Sequence, residues 1–151
     1  MSHIYWDKIR ILVANGCNYR CRFCHNEGQS KYSPSQYMSY DNFKTLIDFV
    51  KDQDISELCF SGGEPFLNKD LIRMIRYADD NTASDIGCAT NLSLITDTQI
   101  QELSSTRVKF NIQFPFASDA DFRDSTGSGN YMKVVETIKK VQDSGINIGL
   151  L

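Results

Sequence analysis

Three cysteines stand within eight residues, in the run Cys17-Asn18-Tyr19-Arg20-Cys21-Arg22-Phe23-Cys24. In this C-x3-C-x2-C spacing three thiolates share one short loop and can converge on a single inorganic centre. Iron–sulfur clusters are normally held by four cysteines, so three would leave one iron open to an outside ligand. An open coordination position separates a catalytic metal site from a closed structural one. The competing reading is a zinc site of three cysteines completed by His25. Against it, His25 directly follows Cys24, and adjacent residues rarely both reach one tetrahedral ion. The paired Cys-x2-Cys knuckles of a zinc ribbon are missing as well. Cys59 and Cys88 lie among apolar neighbours in strand-like runs, where a thiol packs as a small hydrophobe, although either could be a fourth ligand.

A second motif, Gly62-Gly63-Glu64-Pro65, ends a strand-like run. Taken alone it reads as an ordinary strand-to-helix turn, since Gly and Pro are common in turns. Its position matters because of what surrounds it. Strand-like and helix-like periods alternate along the whole chain. Residues 9–14 form a near-continuous apolar run broken only by Arg10. Helix signals begin at Ser39, and Phe43, Leu46, Ile47 and Val50 share one helical face. A strand over residues 57–60 leads into the glycine motif, and Asn68 is expected to cap a helix striped by Leu71, Met74, Ile75 and Ala78.

Residues 86–90 read as a third strand, and Thr96 with Gln99 forms a capping box for a short helix through Leu103. Val108, Phe110, Ile112 and Phe114 alternate with Lys109, Asn111 and Gln113, the period of a fourth strand. Tyr131, Val134, Val135 and Ile138 mark a last helix stopped by Gly145, before a fifth strand over residues 146–151. The order βαβαβαβαβ predicts a parallel α/β sheet with crossover helices, open or curled as a partial barrel. An apolar final strand reads as a natural edge strand of a minimal domain, or else as an edge covered by something further; a chain truncated after the fifth strand, or an edge covered by a partner, is expected.

The chain has 151 residues, 41% of them apolar and 23% charged, which describes one soluble globular domain over residues 1–151. Sixteen basic against nineteen acidic residues give a net charge of −3, which argues against a nucleic-acid partner. No apolar run reaches the roughly 18 residues of a membrane span. The first eight residues carry no apolar signal region, so a cytoplasmic location is expected, with thiols kept reduced. Lys31, Tyr32, Tyr37, Met38 and Tyr40 could stack on bases, but read more simply as a loop over the site mouth.

The cysteine run, with aromatic Phe23 just before the third cysteine, resembles the C-x3-C-x-aromatic-C signature of the radical S-adenosylmethionine (SAM) superfamily. Gly62-Gly63-Glu64-Pro65 resembles the same superfamily's Gly-Gly-Glu-Pro motif, and the resemblance runs from Ile9 to Leu151. It implies a partial TIM-like (β/α) barrel of parallel strands with outer helices. It also implies an enzyme in which Cys17, Cys21 and Cys24 hold a 4Fe–4S cluster whose open iron is chelated by S-adenosylmethionine. Reductive cleavage then yields a 5′-deoxyadenosyl radical that abstracts a substrate hydrogen.

In that scheme Phe23, Gly62, Gly63, Glu64, Pro65, Thr90 and Asn91 are cofactor-binding residues. The glycines would let backbone approach the methionine moiety, and Glu64 would accept from its ammonium region. Gln113, on the polar side of the fourth strand, is the candidate ribose contact, or else a residue on a solvated sheet face. Phe122-Arg123 departs from the His-Asp that many relatives carry, whereas Thr126-Gly127 matches them.

The implied partners are a reducing electron donor such as a flavodoxin or ferredoxin, favoured by Arg20 and Arg22 beside the cluster loop, and a substrate that is a peptide, a protein or a small molecule. Cys24-His25-Asn26-Glu27-Gly28 is similar to the GTP-cyclising enzymes of molybdenum-cofactor synthesis and to glycyl-radical-enzyme activases. Thr126-Gly127 with the Tyr131 helix is similar to peptide-modifying enzymes, and modification of a peptide or protein is the leading expectation, with the other two as alternatives. The reading from another class is a non-catalytic metal-binding or electron-carrier module.

Overall fold

The computed structural model describes residues 4–24, 36–127 and 129–150. Five strands, β1 (Tyr5–Ala14), β2 (Asp54–Gly62), β3 (Asp85–Ala89), β4 (Val108–Ile112) and β5 (Asn147–Leu150), form one sheet. All neighbours are parallel, and their order in space follows their order in sequence. A doubly wound sheet would reverse that order at a switch point. Here the sheet winds one way, as a barrel does, and forms a partial TIM-like barrel.

The helices are α1 (Tyr40–Val50), α2 (Leu71–Asn81), α3 (Asp97–Leu103), α4 (Asp119–Thr126) and α5 (Tyr131–Asp143). The core forms because each strand puts alternate apolar side chains toward them. Ile11 and Val13 of β1, Leu58 and Phe60 of β2, Ile86 and Cys88 of β3, and Phe110 and Ile112 of β4 are all buried with the helix stripes. The expected stripe of Leu71, Met74, Ile75 and Ala78 is buried in full. Each such large apolar side chain contributes about 1.5–3 kcal/mol. The opposite face carries the residues that interrupt the apolar pattern, among them Arg10, Lys109 and Asn111, and these line a cavity.

Several expectations are corrected. β1 begins at Tyr5 rather than Ile9, and β4 ends at Ile112, so Gln113 and Phe114 lie just beyond it. Asn68 does not cap α2, whose N-cap is Asp70 without a side-chain bond. Instead the buried Asn68 amide donates to the carbonyls of Val13 at 2.9 Å and Met38 at 3.0 Å, tying β1 to the entry of α1. Met38 and Tyr40 pack against the helix-side core rather than over the cavity, and Tyr37 bridges to Ala14 on the β1 edge. Lys31, Tyr32 and the stretch from His25 to Gly28 lie outside the described residues.

The largest omission is α4. The sequence carried its signals: Ser118 caps Asp121 at the start, and Gly127, at φ 74°, takes the left-handed position at the end. Its apolar residues, Ala120 and Phe122, give no periodic stripe, so no helix is legible there from the pattern.

Candidate functional site

The cysteine loop leaves β1 at Ala14 and is gripped from two sides. On one side the end of β2 extends the parallel pairing into the loop root: Gly63 N–H donates to Ala14 O at 2.9 Å and Glu64 N–H to Gly16 O at 2.8 Å. Pairing this close leaves no room for side chains. A Cβ on Gly62, which sits at φ 142°, would come within 2.1 Å of Ala14 O, and one on Gly63 within 2.0 Å of Gly16 O. The approach that requires these glycines is therefore to the chain's own backbone at the root of the cysteine loop, not only to a ligand.

On the other side α4 receives the loop. Arg20 N–H donates to Thr126 O at 2.7 Å, Arg22 N–H to Ser125 O at 3.0 Å, and the Arg22 guanidinium pairs with Asp124 at 2.9 Å. Beneath them Phe122, 1% exposed, sits edge-on to Tyr19 at 5.7 Å and to Phe116 at 4.9 Å, with Phe114 and Tyr131 alongside. Phe23 is 40% exposed and leans on Phe116 at 6.1 Å. The Phe122-Arg123 departure thus marks a packing anchor, a role the sequence reading did not assign.

Cys17, Cys21 and Cys24 line one cavity of about 860 Å³ together with Phe23, Gly62, Gly63, Glu64, Thr90, Asn91 and Gln113. All stand at the C-terminal end of the strands, where barrel sites gather. Pro65 is buried at the start of a 3-10 turn (Pro65–Leu67) behind Glu64 and is not among the lining residues. Cys59 lines the cavity floor and Cys88 is enclosed in the core.

Burial pushes the Cys17 thiol up, and burial with the neighbouring Cys17 and Cys24 thiols pushes Cys21 up to about 11. Such mutual opposition to ionisation is what a bound cationic centre reverses. Among the described residues no three Cys, His, Asp or Glu side chains close in on a single metal ion.

Glu64 is 1% exposed, and burial raises its pKa while hydrogen bonds oppose the rise. Its Oε1 accepts from the Thr90 hydroxyl at 2.7 Å and from Phe66 N–H at 3.0 Å, and its Oε2 from Asn91 N–H at 2.8 Å. The carboxylate expected to meet a ligand ammonium thus braces the β2 and β3 loops against each other. Thr90 in turn accepts from Leu92 N–H at 3.1 Å. The Asn18, Ser93 and Phe116 contributions went unread, because an asparagine or serine in a loop carries no periodic signal.

A singly wound parallel half-barrel with a three-cysteine loop and a glycine loop at one end defines a recognisable class. The Radical SAM superfamily profile matches residues 11–151, and the chain belongs to that superfamily. It is 27% identical over 140 residues to a probable GTP 3',8-cyclase of Saccharolobus islandicus, covering 93% of this chain and 45% of that protein. Streptococcus suis SuiB bound to S-adenosylmethionine superposes with a TM-score of 0.82 at 15% identity, over 97% of this chain and 33% of that one. The protein anSMEcpe with bound AdoMet gives 0.77 at 16% identity, over 97% and 43%. These structural likenesses are likenesses of fold. The chain spans less than half the length of the curated relatives it matches. Among the described residues no helix is long and apolar enough to cross a membrane.

Proposed function

We propose that this chain is the cluster-bearing part of a radical SAM enzyme, with Cys17, Cys21 and Cys24 as the ligands of one 4Fe–4S cluster and S-adenosylmethionine on its open iron. The observation that carries this reading is the convergence of the three thiols and the Gly62-Gly63-Glu64 loop on one cavity at one end of the sheet. When bound, the cluster supplies the electron that cleaves S-adenosylmethionine to a 5′-deoxyadenosyl radical able to take hydrogen from a substrate. The chain's own residues hold and shield that chemistry. The β2 end and α4 fix the cysteine loop, the aromatic cluster of Phe114, Phe116 and Phe122 excludes water beside it, and Gln113, lining the same cavity as the thiols, is the candidate contact for the ribose.

For the substrate, the reading best supported is a small anionic molecule of the GTP type. The observation that favours it over a peptide or protein is the 27% identity to probable GTP 3',8-cyclases over 93% of the chain. The cavity wall carries both signs, Lys8, Arg10, Arg107 and Lys109 beside Glu57, Glu64 and Asp85, and Lys8 pairs with Glu57 at 2.9 Å. Peptide modification is the second reading, resting on the resemblance of Thr126-Gly127 and the Tyr131 helix to peptide-modifying enzymes. A low-potential donor such as a flavodoxin or ferredoxin and a cytosolic location complete the proposal.

The test is anaerobic reconstitution, followed by assay of 5′-deoxyadenosine with GTP, with candidate peptides and without substrate. Release stimulated by GTP supports the first reading and release stimulated by peptide the second. A cluster that never cleaves S-adenosylmethionine would mark a non-catalytic metal or electron-carrier module.

A further inference from the structure

Resting on the reading that Cys17, Cys21 and Cys24 hold a 4Fe–4S cluster, we propose that the side-chain amide of Asn91 donates an N–H···S hydrogen bond to Cys17 and raises the reduction potential of that cluster. Asn91 opens the turn between β3 and α3, and its own backbone N–H is given to Glu64 Oε2 at 2.8 Å. Its side-chain Oδ1 accepts from Ser93 N–H at 2.9 Å and from the Ser93 hydroxyl at 2.6 Å. A backbone N–H can only donate, so the atom facing it must be the amide oxygen, and the carboxamide has one permitted orientation. The NH2 group then faces the cysteine loop. Its nitrogen lies 3.0 Å from Asn18 Oδ1 and 4.0 Å from Cys17 Sγ, the long end of N–H···S reach, and Asn18 Oδ1 itself lies 4.0 Å from that sulfur.

The turn is built to hold this pose. Asn18 closes a ring by donating from Nδ2 to Ser93 Oγ at 2.8 Å. Leu92 between them is fully buried at φ 57°, a left-handed conformation that leucine adopts only when its surroundings impose it. The same sulfur receives the backbone N–H of Tyr19 at 3.4 Å. A donor aimed at a ligand sulfur favours the more electron-rich reduced cluster over the oxidised one, so each such bond makes the cluster easier to reduce. Asn91 also stands between Glu64 and Cys17, its backbone N–H on the glycine loop and its side-chain amide toward the cysteine loop, which links the two through one residue.

The experiment is an EPR-monitored titration of the reconstituted protein with dithionite as electron source. Asn91→Leu removes the donor. Ser93→Ala loosens the turn without touching the sulfur. At a fixed potential near the unmodified midpoint, Asn91→Leu is expected to lower the reduced-to-oxidised ratio about tenfold, which is about 59 mV for one electron. Ser93→Ala is expected to lower it less than twofold. An unchanged ratio in Asn91→Leu, or an equal fall in both variants, overturns the proposal.

Should Asn91→Leu fail to fold, the unmodified protein still decides. With 15N in its asparagine amides, the reduced cluster should show a 15N hyperfine coupling, and its absence overturns the proposal. Iron and sulfide contents near four each keep the cluster reading intact, so a negative result then counts against Asn91 alone. Unmodified protein that takes up neither overturns both.

Discussion

Gly63 lies so close to Gly16 that a Cβ on it would stand 2.0 Å from the Gly16 carbonyl oxygen and 2.9 Å from the Cys17 nitrogen. The glycine loop and the cysteine loop are therefore one packed unit before any ligand enters, joined by the Gly63 to Ala14 and Glu64 to Gly16 hydrogen bonds. A change at Gly63 reaches the root of the metal loop directly, through backbone.

Gly63→Val is accordingly expected to lower iron and sulfide uptake well below the unmodified level. The cluster is affected before any ligand contact, because the added side chain meets the backbone at the root of the cysteine loop. Inserting a branched side chain against fixed backbone should also cost about 1–3 kcal/mol of stability. Iron and sulfide analysis with urea unfolding of the metal-free protein checks both, and a full complement of iron would refute the coupling of the two loops.

Glu64→Gln is expected to be more damaging than a simple loss of charge. The carboxylate accepts from three donors, two of them backbone N–H groups that cannot turn away. An amide offers only one oxygen, so its NH2 must face a donor and leave a buried group unsatisfied. The expected cost is about 1–3 kcal/mol, read as a lower urea midpoint at unchanged slope.

How much of this was legible follows the physics of each signal. The periodic elements were readable because burial imposes a period. The α2 stripe, the capping box of Thr96 and Gln99, and the alternation of β4 as far as Ile112 stand where expected. The two motif loops were readable because their residue types are rare in combination. What was missed depends on contacts between residues far apart in sequence. Asn68 looked like a cap but ties Val13 to Met38, and Glu64 looked like a ligand contact but accepts from Thr90 and Asn91. Such partners are set by the register of parallel strands, which no local pattern encodes.

The cysteines divide into two kinds, which predicts two phenotypes. Cys21→Ala should abolish cluster binding, because its thiol lines the cavity with Cys17 and Cys24. Cys88→Ala should spare the cluster, because Cys88 is fully enclosed among apolar side chains on the helix side of β3. Its cost should be that of losing one small buried apolar group, about 1 kcal/mol. Iron and sulfide analysis of both variants after anaerobic reconstitution checks the division, and loss of iron in Cys88→Ala would refute it.

The α4 anchor allows a contrast between two ways of holding the cysteine loop. Phe122 is buried among Tyr19, Phe114, Phe116 and Tyr131, whereas the Arg22–Asp124 ion pair is exposed, its side chains 73% and 65% accessible. Truncating a buried phenylalanine typically costs 3–5 kcal/mol, while an exposed ion pair contributes about 0–1 kcal/mol. Phe122→Ala should therefore free the loop from α4, and Asp124→Asn should scarcely disturb it. The readout is hydrogen exchange at the Arg20 and Arg22 amides, which donate to Thr126 and Ser125. Exchange should accelerate strongly in Phe122→Ala and stay within a few-fold of the unmodified rate in Asp124→Asn. Phe122→Leu, which keeps most of the apolar volume, should fall between them. If Asp124→Asn loosens these amides as much as Phe122→Ala does, the loop is held by charge, and the aromatic cluster is not its anchor.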